Sequence, residues 1–146
     1  MSNNAWDEFT NPTHGFIKYL GVHIDEVRPG YCKGTLKLED KHGNPIGSIH
    51  GGVLFSIADT VGGVCATAGG RIVTTVDADI HYMRAAYIGD TLVTEAHEVK
   101  SGKLLSIVEV KNYNQDGKLL TSSTFTYHYL SNQMDVDVEL EKLKQL

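Results

Sequence analysis

Cysteine and proline are scarce in this chain, and their scarcity excludes several ways of stabilising a small protein. Only two cysteines, Cys32 and Cys65, and three prolines occur among its 146 residues. Two cysteines are too few for a disulfide scaffold, and they lack the CxxC spacing of many zinc and redox sites. We therefore expect one domain over residues 1–146 that is stabilised by a hydrophobic core, because domains cluster at roughly 100–150 residues.

Excess positive charge and long apolar runs are also absent. The 13 Lys and Arg residues are outnumbered by 18 Asp and Glu residues, which gives a net charge of −5. Nucleic-acid binding selects clustered basic residues, so we expect no nucleic-acid partner. The most apolar stretch, residues 53–68, is interrupted by Ser56, Asp59 and Thr60. It falls short of the ~18 apolar residues of a membrane span, so the sequence predicts none.

Known targeting, metal and nucleotide motifs are missing as well. Residues 1–16 have no basic start followed by an apolar segment, so we expect no signal peptide. The expected location is therefore cytoplasmic. The chain contains no G-x-S-x-G, GxxxxGK[ST], HExxH or GxGxxG motif. Its seven histidines show no ligand spacing to each other, to cysteine or to a carboxylate on a predicted helix. We therefore expect no metal and no cofactor.

Periodicity predicts one long helix in the first half of the chain. From Gly51 to about Ala68 the apolar residues recur at spacings of three and four, which is typical of a helix with a broad apolar face. Gly69-Gly70 is expected to end it. The pair Gly62-Gly63 in its middle costs about 1 kcal/mol per residue in helix propensity, which indicates tight packing. The predicted segments before it are a helix over 13–20 capped by Thr13 and strands over 22–27 and 31–38.

The second half of the chain predicts strands. The four segments 72–83, 90–100, 104–113 and 118–130 are long and rich in Val, Ile, Thr and Tyr. Turns at Gly102 and at Asp116-Gly117 are expected to supply positive φ, so we predict three consecutive antiparallel pairings. The predicted fold is α+β, with an antiparallel sheet of five to six strands curled around one long central helix. The tail, residues 131–146, is expected to be peripheral.

The segment Asn-Pro-Ile-Gly-Ser-Ile-His-Gly-Gly, residues 44–52, leads into the long helix. The first N–H groups of a helix lack intrahelical partners, and the helix dipole attracts negative charge there. Glycine lets a ligand approach those N–H groups closely, so His50-Gly51-Gly52 can form an oxyanion hole. An equally good interpretation is that His50 caps the helix and the glycines serve only the turn.

Asp59 is the second unusual feature, since it places a carboxylate two turns inside an apolar helix. Unpaired buried carboxylates are costly, so they tend either to be paired or to take part in chemistry. The alternative interpretation places Asp59 on an exposed face beside Ser56, Gly62 and Gly63.

The N-x-x-G-x-x-H-G-G pattern, the following Asp59, the strand TTVDADIHYM over 74–83 and the loop 84–90 resemble the hotdog-fold acyl-CoA thioesterases. The phenylacetate-pathway type is the most similar subgroup, and the resemblance covers residue 44 to about residue 130. It implies the hotdog fold and hydrolysis of acyl-CoA thioesters to free acid and CoA.

The resemblance also implies roles for single residues. Asp59 matches the catalytic carboxylate, as nucleophile or general base, and the Gly51 N–H matches the group that polarises the thioester carbonyl. His50 and Asn44 match residues that orient the carbonyl or water, and Thr75 matches one that helps to hold the attacking water. Lys100, Gly102 and Lys103 match a hairpin that meets the CoA phosphates, with Arg84 as a second candidate.

The spacing of Gly51 and Asp59 predicts a site shared between chains. Eight residues along a helix span ~12 Å, so one thioester carbon cannot lie within ~3 Å of both. We therefore expect a homodimer in which two such helices run antiparallel across the two-fold axis. Related enzymes pair dimers into tetramers, which predicts a homotetramer built as a dimer of dimers.

Two other functions are less well supported. A hotdog-fold hydratase or dehydratase typically has His five residues after the Asp, whereas Val64 stands there, and the chain lacks a His-Phe-Pro segment. A non-catalytic acyl-CoA-binding dimer is the other alternative, because fold does not fix function. The sequence does not decide between aryl, short and medium acyl groups, or between CoA and carrier-protein thioesters.

Overall fold

Three helices and six strands make up most of the structure, a computed structural model that describes residues 3–130. The helices are α1 (Asn3–Thr10), α2 (Gly15–Leu20) and α3 (Gly51–Thr67). The strands are β1 (His23–Arg28), β2 (Tyr31–Lys37), β3 (Val73–Tyr82), β4 (Thr91–Ser101), β5 (Leu105–Tyr113) and β6 (Leu119–Tyr129). The predicted peripheral tail over 131–146 lies outside the described residues.

The six strands form one antiparallel sheet in the order β1-β2-β4-β5-β6-β3. The predicted pairings of β4 with β5 and of β5 with β6 are confirmed. The predicted pairing of β3 with β4 is wrong, because β3 pairs with β6 at the far edge of the sheet. Helix α3 carries the chain across the sheet from β2 to β3, so the chain must return before β4 can pair with β2. The returning link passes the start of α3, where the Ile49 N–H donates to the carbonyl of buried Ala86.

Helix α3 lies on one face of the curled sheet, which confirms the predicted α+β arrangement. Its sheet-facing side is apolar and buried, and consists of Leu54, Ile57, Ala58, Val61, Val64 and Cys65. Burying an aliphatic side chain of this kind stabilises the fold by about 1.5–3 kcal/mol. Fully buried Asn112 on β5 also donates to the Leu54 carbonyl at 3.0 Å, and this bond ties the first turns of α3 to the sheet.

The tight packing predicted at Gly62-Gly63 is confirmed at Gly62. A Cβ atom there would lie 2.4 Å from the Tyr127 Oη on β6, far inside van der Waals contact. A Cβ atom on Gly63 would lie 3.8 Å from the same ring, which is an ordinary contact. The close approach therefore belongs to one glycine and brings α3 against the sheet of its own chain.

Several predicted ends and turns are wrong in detail. Thr13 does not cap α2, since the helix begins at Gly15, whose φ of +85° favours glycine, and the Thr13 hydroxyl instead donates to Glu8. Helix α3 ends at Thr67 with Ala68 as its C-cap, before the predicted glycine pair. At the β4–β5 turn, Gly102 does not have positive φ. Glycine is favoured there because a Cβ would lie 3.2 Å from the Leu105 carbonyl oxygen.

Helix α1 was not predicted, and it matters for the site described below. Trp6 and Phe9 lie three residues apart, so they share one face of α1, and their rings stack with centroids 5.6 Å apart. Both rings pack against the hydrophobic core.

Candidate active site

The N-terminus of α3 offers an open backbone donor. His50 is the N-cap, and its Nδ1 accepts from the Gly52 N–H at 2.8 Å. The Val53 N–H donates to the His50 carbonyl at 2.9 Å. Within residues 3–130, the Gly51 N–H has no acceptor at hydrogen-bond distance. The capping interpretation of His50 is thus confirmed, and the cap leaves the Gly51 N–H available at the positive end of the helix.

Tyr82 closes one side of this donor. Its Oη donates to the Gly51 carbonyl at 2.9 Å, and a Cβ on Gly51 would lie 3.3 Å from the edge of the ring. Partial burial raises the pKa of Tyr82, so the hydroxyl keeps its proton at neutral pH. A cavity of about 320 Å³, here called the Gly51 cavity, is lined by both residues together with Arg84 and Met83.

Asn44 acts inside the loop before α3. Its Oδ1 accepts from the backbone N–H groups of Ile46 and Ser48, each at 3.0 Å. Its Nδ2 donates to the Ser48 hydroxyl at 2.8 Å. These bonds shape the turn that delivers His50 and Gly51, and the predicted direct role of Asn44 stays a prediction.

Asp59 lies on the third turn of α3, half-buried and held by two hydroxyl groups. Its Oδ1 accepts from the Thr75 Oγ1 at 2.8 Å and from the Tyr127 Oη at 3.2 Å. Tyr127 Oη also lies 3.0 Å from the Asp59 carbonyl oxygen. Within the described part of the chain, Oδ2 has no donor at hydrogen-bond distance. One carboxylate oxygen is therefore anchored and the other is open.

The two hydroxyls reach Asp59 because of the register between β3 and β6. Thr75 and Tyr127 are directly opposite each other across this strand pair. A β-bulge follows Thr75, so that Val76 has no partner in the register. Bulges bend a strand and re-aim its side chains, and they are common beside active sites. The bulge thus lies directly after Thr75, the β3 residue whose side chain bonds to Asp59.

The space beside Asp59 is largely apolar. A cavity of about 480 Å³, here called the Asp59 cavity, lies between α3, the start of β3 and the N-terminal helices. Its apolar lining comprises Phe9, Phe16, Ile17, Phe55, Val64 and Val73. Asp59, Thr75 and Tyr127 supply polar groups at its wall. The carboxylate therefore faces a chamber suited to an apolar group.

The structure does not bring Gly51 and Asp59 together within one chain. Both lie on the continuous helix α3, where eight residues span ~12 Å along the axis. Each lines its own cavity. One reacting carbon cannot contact both groups of the same chain.

The predicted phosphate-binding residues also lie in two places. Arg71 donates to the carbonyls of Gly102 at 2.9 Å and Lys103 at 3.0 Å, and so holds the β4–β5 turn against the end of β6. The side chains of Lys100 and Lys103 are exposed there. Arg84 is exposed, and its backbone N–H donates to the Leu120 carbonyl at the other end of β6. That end lies roughly 30 Å along the strand from the end beside the β4–β5 turn. Arg84 and the turn are therefore not neighbours within one chain.

Tyr127 is the residue of this site that sequence analysis missed. Its signal was the alternation of Phe125, Tyr127 and Tyr129 along β6, which turns these three rings to one face of the sheet, where all three are buried. The strand order needed to place that face opposite Asp59 was predicted incorrectly.

Two further observations concern metal-ligating side chains and membrane-spanning helices. Among residues 3–130, no group of three or more His, Cys, Asp and Glu side chains is arranged to hold a metal ion. No helix in the same range is long and apolar enough to cross a membrane.

The six-stranded antiparallel sheet with α3 packed on one face defines a hotdog-fold α+β protein of the kind expected from the sequence. A family model described as the thioesterase superfamily matches residues 46–121, more than half of the chain. The chain therefore belongs to the thioesterase superfamily, and the resemblance inferred from its motifs is confirmed.

Similar proteins are known by sequence and by structure. Human acyl-coenzyme A thioesterase 13 is 32% identical over 117 residues, which cover 77% of this chain and 84% of the human protein. A hypothetical thioesterase from Streptococcus pneumoniae TIGR4, solved with coenzyme A, has a TM-score of 0.74 and 27% identity, covering 76% and 87% of the two chains. The Escherichia coli PaaI protein from the phenylacetic acid degradation operon has a TM-score of 0.73 and 28% identity, covering 76% and 85%.

The pneumococcal thioesterase has also been solved as two single-site mutants. One carries alanine in place of an aspartate, and the other carries alanine in place of a threonine sixteen positions further along that chain. Asp59 and Thr75 are likewise sixteen residues apart. The aspartate and the threonine replaced in that protein therefore have the same spacing as Asp59 and Thr75.

Proposed function

We propose that the protein hydrolyses acyl-CoA thioesters to a free carboxylic acid and CoA at sites that each combine two chains. The observation that carries the proposal is Asp59, a half-buried carboxylate anchored through one oxygen, with its other oxygen open, beside an apolar cavity. Membership of the thioesterase superfamily and a coenzyme A-bound structural relative support the same reaction.

The Gly51 N–H is the proposed oxyanion donor. It stands at the N-terminus of a 17-residue helix, where the helix dipole favours negative charge. As the thioester carbonyl becomes tetrahedral, its oxygen gains charge, and a preorganised N–H stabilises that charge more than it stabilises the substrate. His50 accepts through Nδ1, so its neutral ring carries the proton on Nε2, which gives a second donor beside the carbonyl.

Asp59 supplies the attack in either of two ways. As a nucleophile, it adds to the carbonyl carbon and expels the CoA thiolate, and water then hydrolyses the anhydride. As a general base, it takes a proton from a water whose oxygen adds to the carbonyl carbon; the tetrahedral adduct then collapses, the carbon–sulfur bond breaks and the proton passes to the CoA thiolate. Both routes release one acid and one CoA, and the open Oδ2 fits both.

A complete site then needs Gly51 from one chain and Asp59 from its partner. Two α3 helices that run antiparallel across a two-fold axis would place the Gly51 cavity of one chain against the Asp59 cavity of the other. Such a dimer has two equivalent sites. We propose a homodimer as the minimal active unit and a dimer of dimers as the full assembly.

The same arrangement explains why the proposed phosphate-binding residues lie in two places within one chain. Arg84 lies beside Gly51, whereas Lys100, Gly102 and Lys103 lie near the C-terminal end of α3. In an antiparallel pair, the turn of one chain approaches Arg84 of the other. We propose that these residues bind the phosphates of CoA and that the Asp59 cavity receives an apolar acyl group.

Neither alternative function gains support from Asp59. Hydratases of this fold use a histidine with a carboxylate, whereas the side chains that bond to Asp59 among the described residues are hydroxyls of Thr75 and Tyr127. A purely binding protein would not require an anchored carboxylate in an apolar cavity.

Thiol release from a panel of aryl-, short- and medium-chain acyl-CoAs tests the proposal. We expect turnover, with the highest kcat/KM for an apolar acyl group. Light scattering under assay conditions should give a dimer or a larger assembly. Binding of acyl-CoA without any thiol release would favour the binding protein, and an active monomer would contradict the shared site.

A further inference from the structure

Tyr127 occupies a fixed position between the sheet and α3. It is 1% exposed, and its ring stacks on Phe125 with centroids 5.9 Å apart. Its Oη lies within hydrogen-bond distance of two oxygens of Asp59, the carbonyl at 3.0 Å and Oδ1 at 3.2 Å. A rigid, buried ring has little freedom to move its hydroxyl, so the contact to Asp59 is built into the packing.

Gly62 provides the space that this hydroxyl fills. A Cβ on Gly62 would lie 2.4 Å from the Tyr127 Oη and 3.1 Å from a Val110 methyl. Contacts this short force one of the groups to move. Since Val110 is fully buried and the Tyr127 ring is stacked, an added methyl would push the hydroxyl away from Asp59.

We propose that Tyr127 is a positioning residue for Asp59 and that Gly62 is required because it admits the Tyr127 hydroxyl. Thr75 donates to Oδ1, and the single proton of the Tyr127 hydroxyl is shared between Oδ1 and the Asp59 carbonyl, so the two residues together fix the rotation of the carboxylate and present Oδ2 to the substrate. This inference rests on the proposed thioesterase function and adds two residues to it.

The hydroxyl is suited to a constant donor role. Burial and the Asp59 carboxylate both raise the pKa of Tyr127 far above its usual range, with burial as the larger cause. Tyr127 therefore keeps its proton throughout the pH range of an assay. Its task is to hold Asp59 in place, and it does not itself transfer a proton.

The first test replaces Tyr127→Phe and compares it with Tyr31→Phe. Tyr31 is a matched control, because it is also buried and its Oη also donates to a carboxylate, that of Glu95 at 2.9 Å. A hydrogen bond to a charged group lost in this way should lower kcat by about tenfold or more, with KM within about twofold. Tyr31→Phe should change neither kcat nor KM.

The second test uses Gly62→Ala alone and in the Tyr127→Phe background. Alone, the methyl should lower kcat to about the level of Tyr127→Phe. In the double variant the Oη is gone, and the remaining contacts of the Cβ are a Val110 methyl at 3.1 Å and the ring Cζ at 3.4 Å, neither of which bonds to Asp59. Gly62→Ala should then cost less than about twofold in kcat, a non-additivity that reports direct contact. Circular dichroism and thermal unfolding confirm that each protein is folded.

The outcomes separate this inference from the proposed function. Normal kcat in Tyr127→Phe, with Asp59→Asn inactive, would overturn the role of Tyr127 and leave the thioesterase intact. Equal losses from Gly62→Ala in both backgrounds would overturn the role of Gly62. If Tyr127→Phe does not fold, Gly62→Ala alone decides, and normal kcat in that variant would overturn the inference. A wild-type protein that releases no thiol would overturn both the function and the inference.

Discussion

The Gly51 cavity and the Asp59 cavity lie at two points of one helix and are built by different means. In the Gly51 cavity, the candidate functional group is a backbone N–H whose position follows from the start of α3 and from the His50 cap. In the Asp59 cavity, it is a side chain whose orientation depends on hydroxyls from β3 and β6. The first group is fixed by local structure, whereas the second requires the complete sheet.

This difference predicts that the Gly51 N–H and the Asp59 carboxylate respond differently to substitutions around them. The backbone donor tolerates most side-chain changes but is lost when its N–H is removed. The carboxylate is sensitive to any change that rotates it, including changes in residues that never meet the substrate. Five substitutions test this comparison, from the largest expected effect to the smallest.

Asp59→Asn should have the largest effect. Asparagine keeps the size of aspartate but can neither attack a carbonyl nor accept a proton from water. Losing a general base typically costs about 10²–10⁴-fold in kcat, and losing a nucleophile can cost more. Acyl-CoA binding, measured by calorimetry, should be nearly unchanged. A variant with near-normal kcat would show that Asp59 is not the reacting group.

Gly51→Pro should follow, at about 10²–10³-fold in kcat, because it removes one oxyanion donor. Proline is well tolerated at the first position of a helix, and the extended backbone of His50, with φ −60° and ψ 131°, suits a residue before proline. Gly51→Ala is the control, since it adds a Cβ and keeps the N–H. Similar losses in both variants would point to steric blocking by the side chain and against an oxyanion role.

Together these two inactive variants test the division between chains. Co-expressed at equal levels, Asp59→Asn and Gly51→Pro should form heterodimers in half of the population, each with one intact site. We expect about a quarter of the wild-type activity, which neither variant shows alone. Heterodimers purified with two affinity tags that stay inactive would contradict the shared site.

Thr75→Ala should reduce kcat by about tenfold, since it removes one of the two donors to Oδ1 from an exposed position. Thr75→Ser keeps the hydroxyl and should retain most of the activity. If the serine variant falls as far as the alanine variant, the methyl group and the local packing of β3 would explain the loss better than the hydrogen bond.

Arg84→Gln and Lys103→Gln should have the smallest effect, a rise in KM of about two- to fivefold with kcat nearly intact. Contacts to remote phosphates act on the substrate and the transition state alike. The dependence of KM on salt should also weaken. Exposed Lys111 on β5 provides the control Lys111→Gln, for which we expect no change. A large kcat loss with unchanged KM would contradict the phosphate role.

The sequence predicted the surroundings of Gly51 better than those of Asp59, for a physical reason. The cap, the open N–H and the helix all arise within residues 44–67, where local rules apply. The partners of Asp59 come from much further along the chain, and Tyr127 is 68 residues away. Periodicity shows that Tyr127 faces inward but not what it faces.

The same limit explains the incorrect strand pairing. Hairpins β4–β5 and β5–β6 have short turns, so their pairing follows from adjacent segments. The partner of β3 depends on where α3 delivers the chain, and that is decided by packing across the whole sheet. Gly62 shows both what the sequence predicts and what it does not. A glycine inside a helix indicated a close approach, but only the structure identifies the Tyr127 hydroxyl as the group that approaches it.

The sheet order also has a consequence for when the contacts around Asp59 form during folding. The β4-β5-β6 unit is made of local contacts, whereas β2 meets β4 and β3 meets β6 only after long loops close, as the 64-residue separation of the Tyr31–Glu95 bond shows. Loop closure carries an entropy cost before such contacts stabilise the chain, so folds of this kind refold in about milliseconds to seconds. Because Thr75 and Tyr127 belong to the β3–β6 pair, the anchor of Asp59 forms only when that long-range pairing forms. A chain in which β3 has not yet paired with β6 would therefore lack the paired hydroxyls that hold Asp59, whereas the contact of the His50 cap with Gly52 is local and does not depend on that pairing.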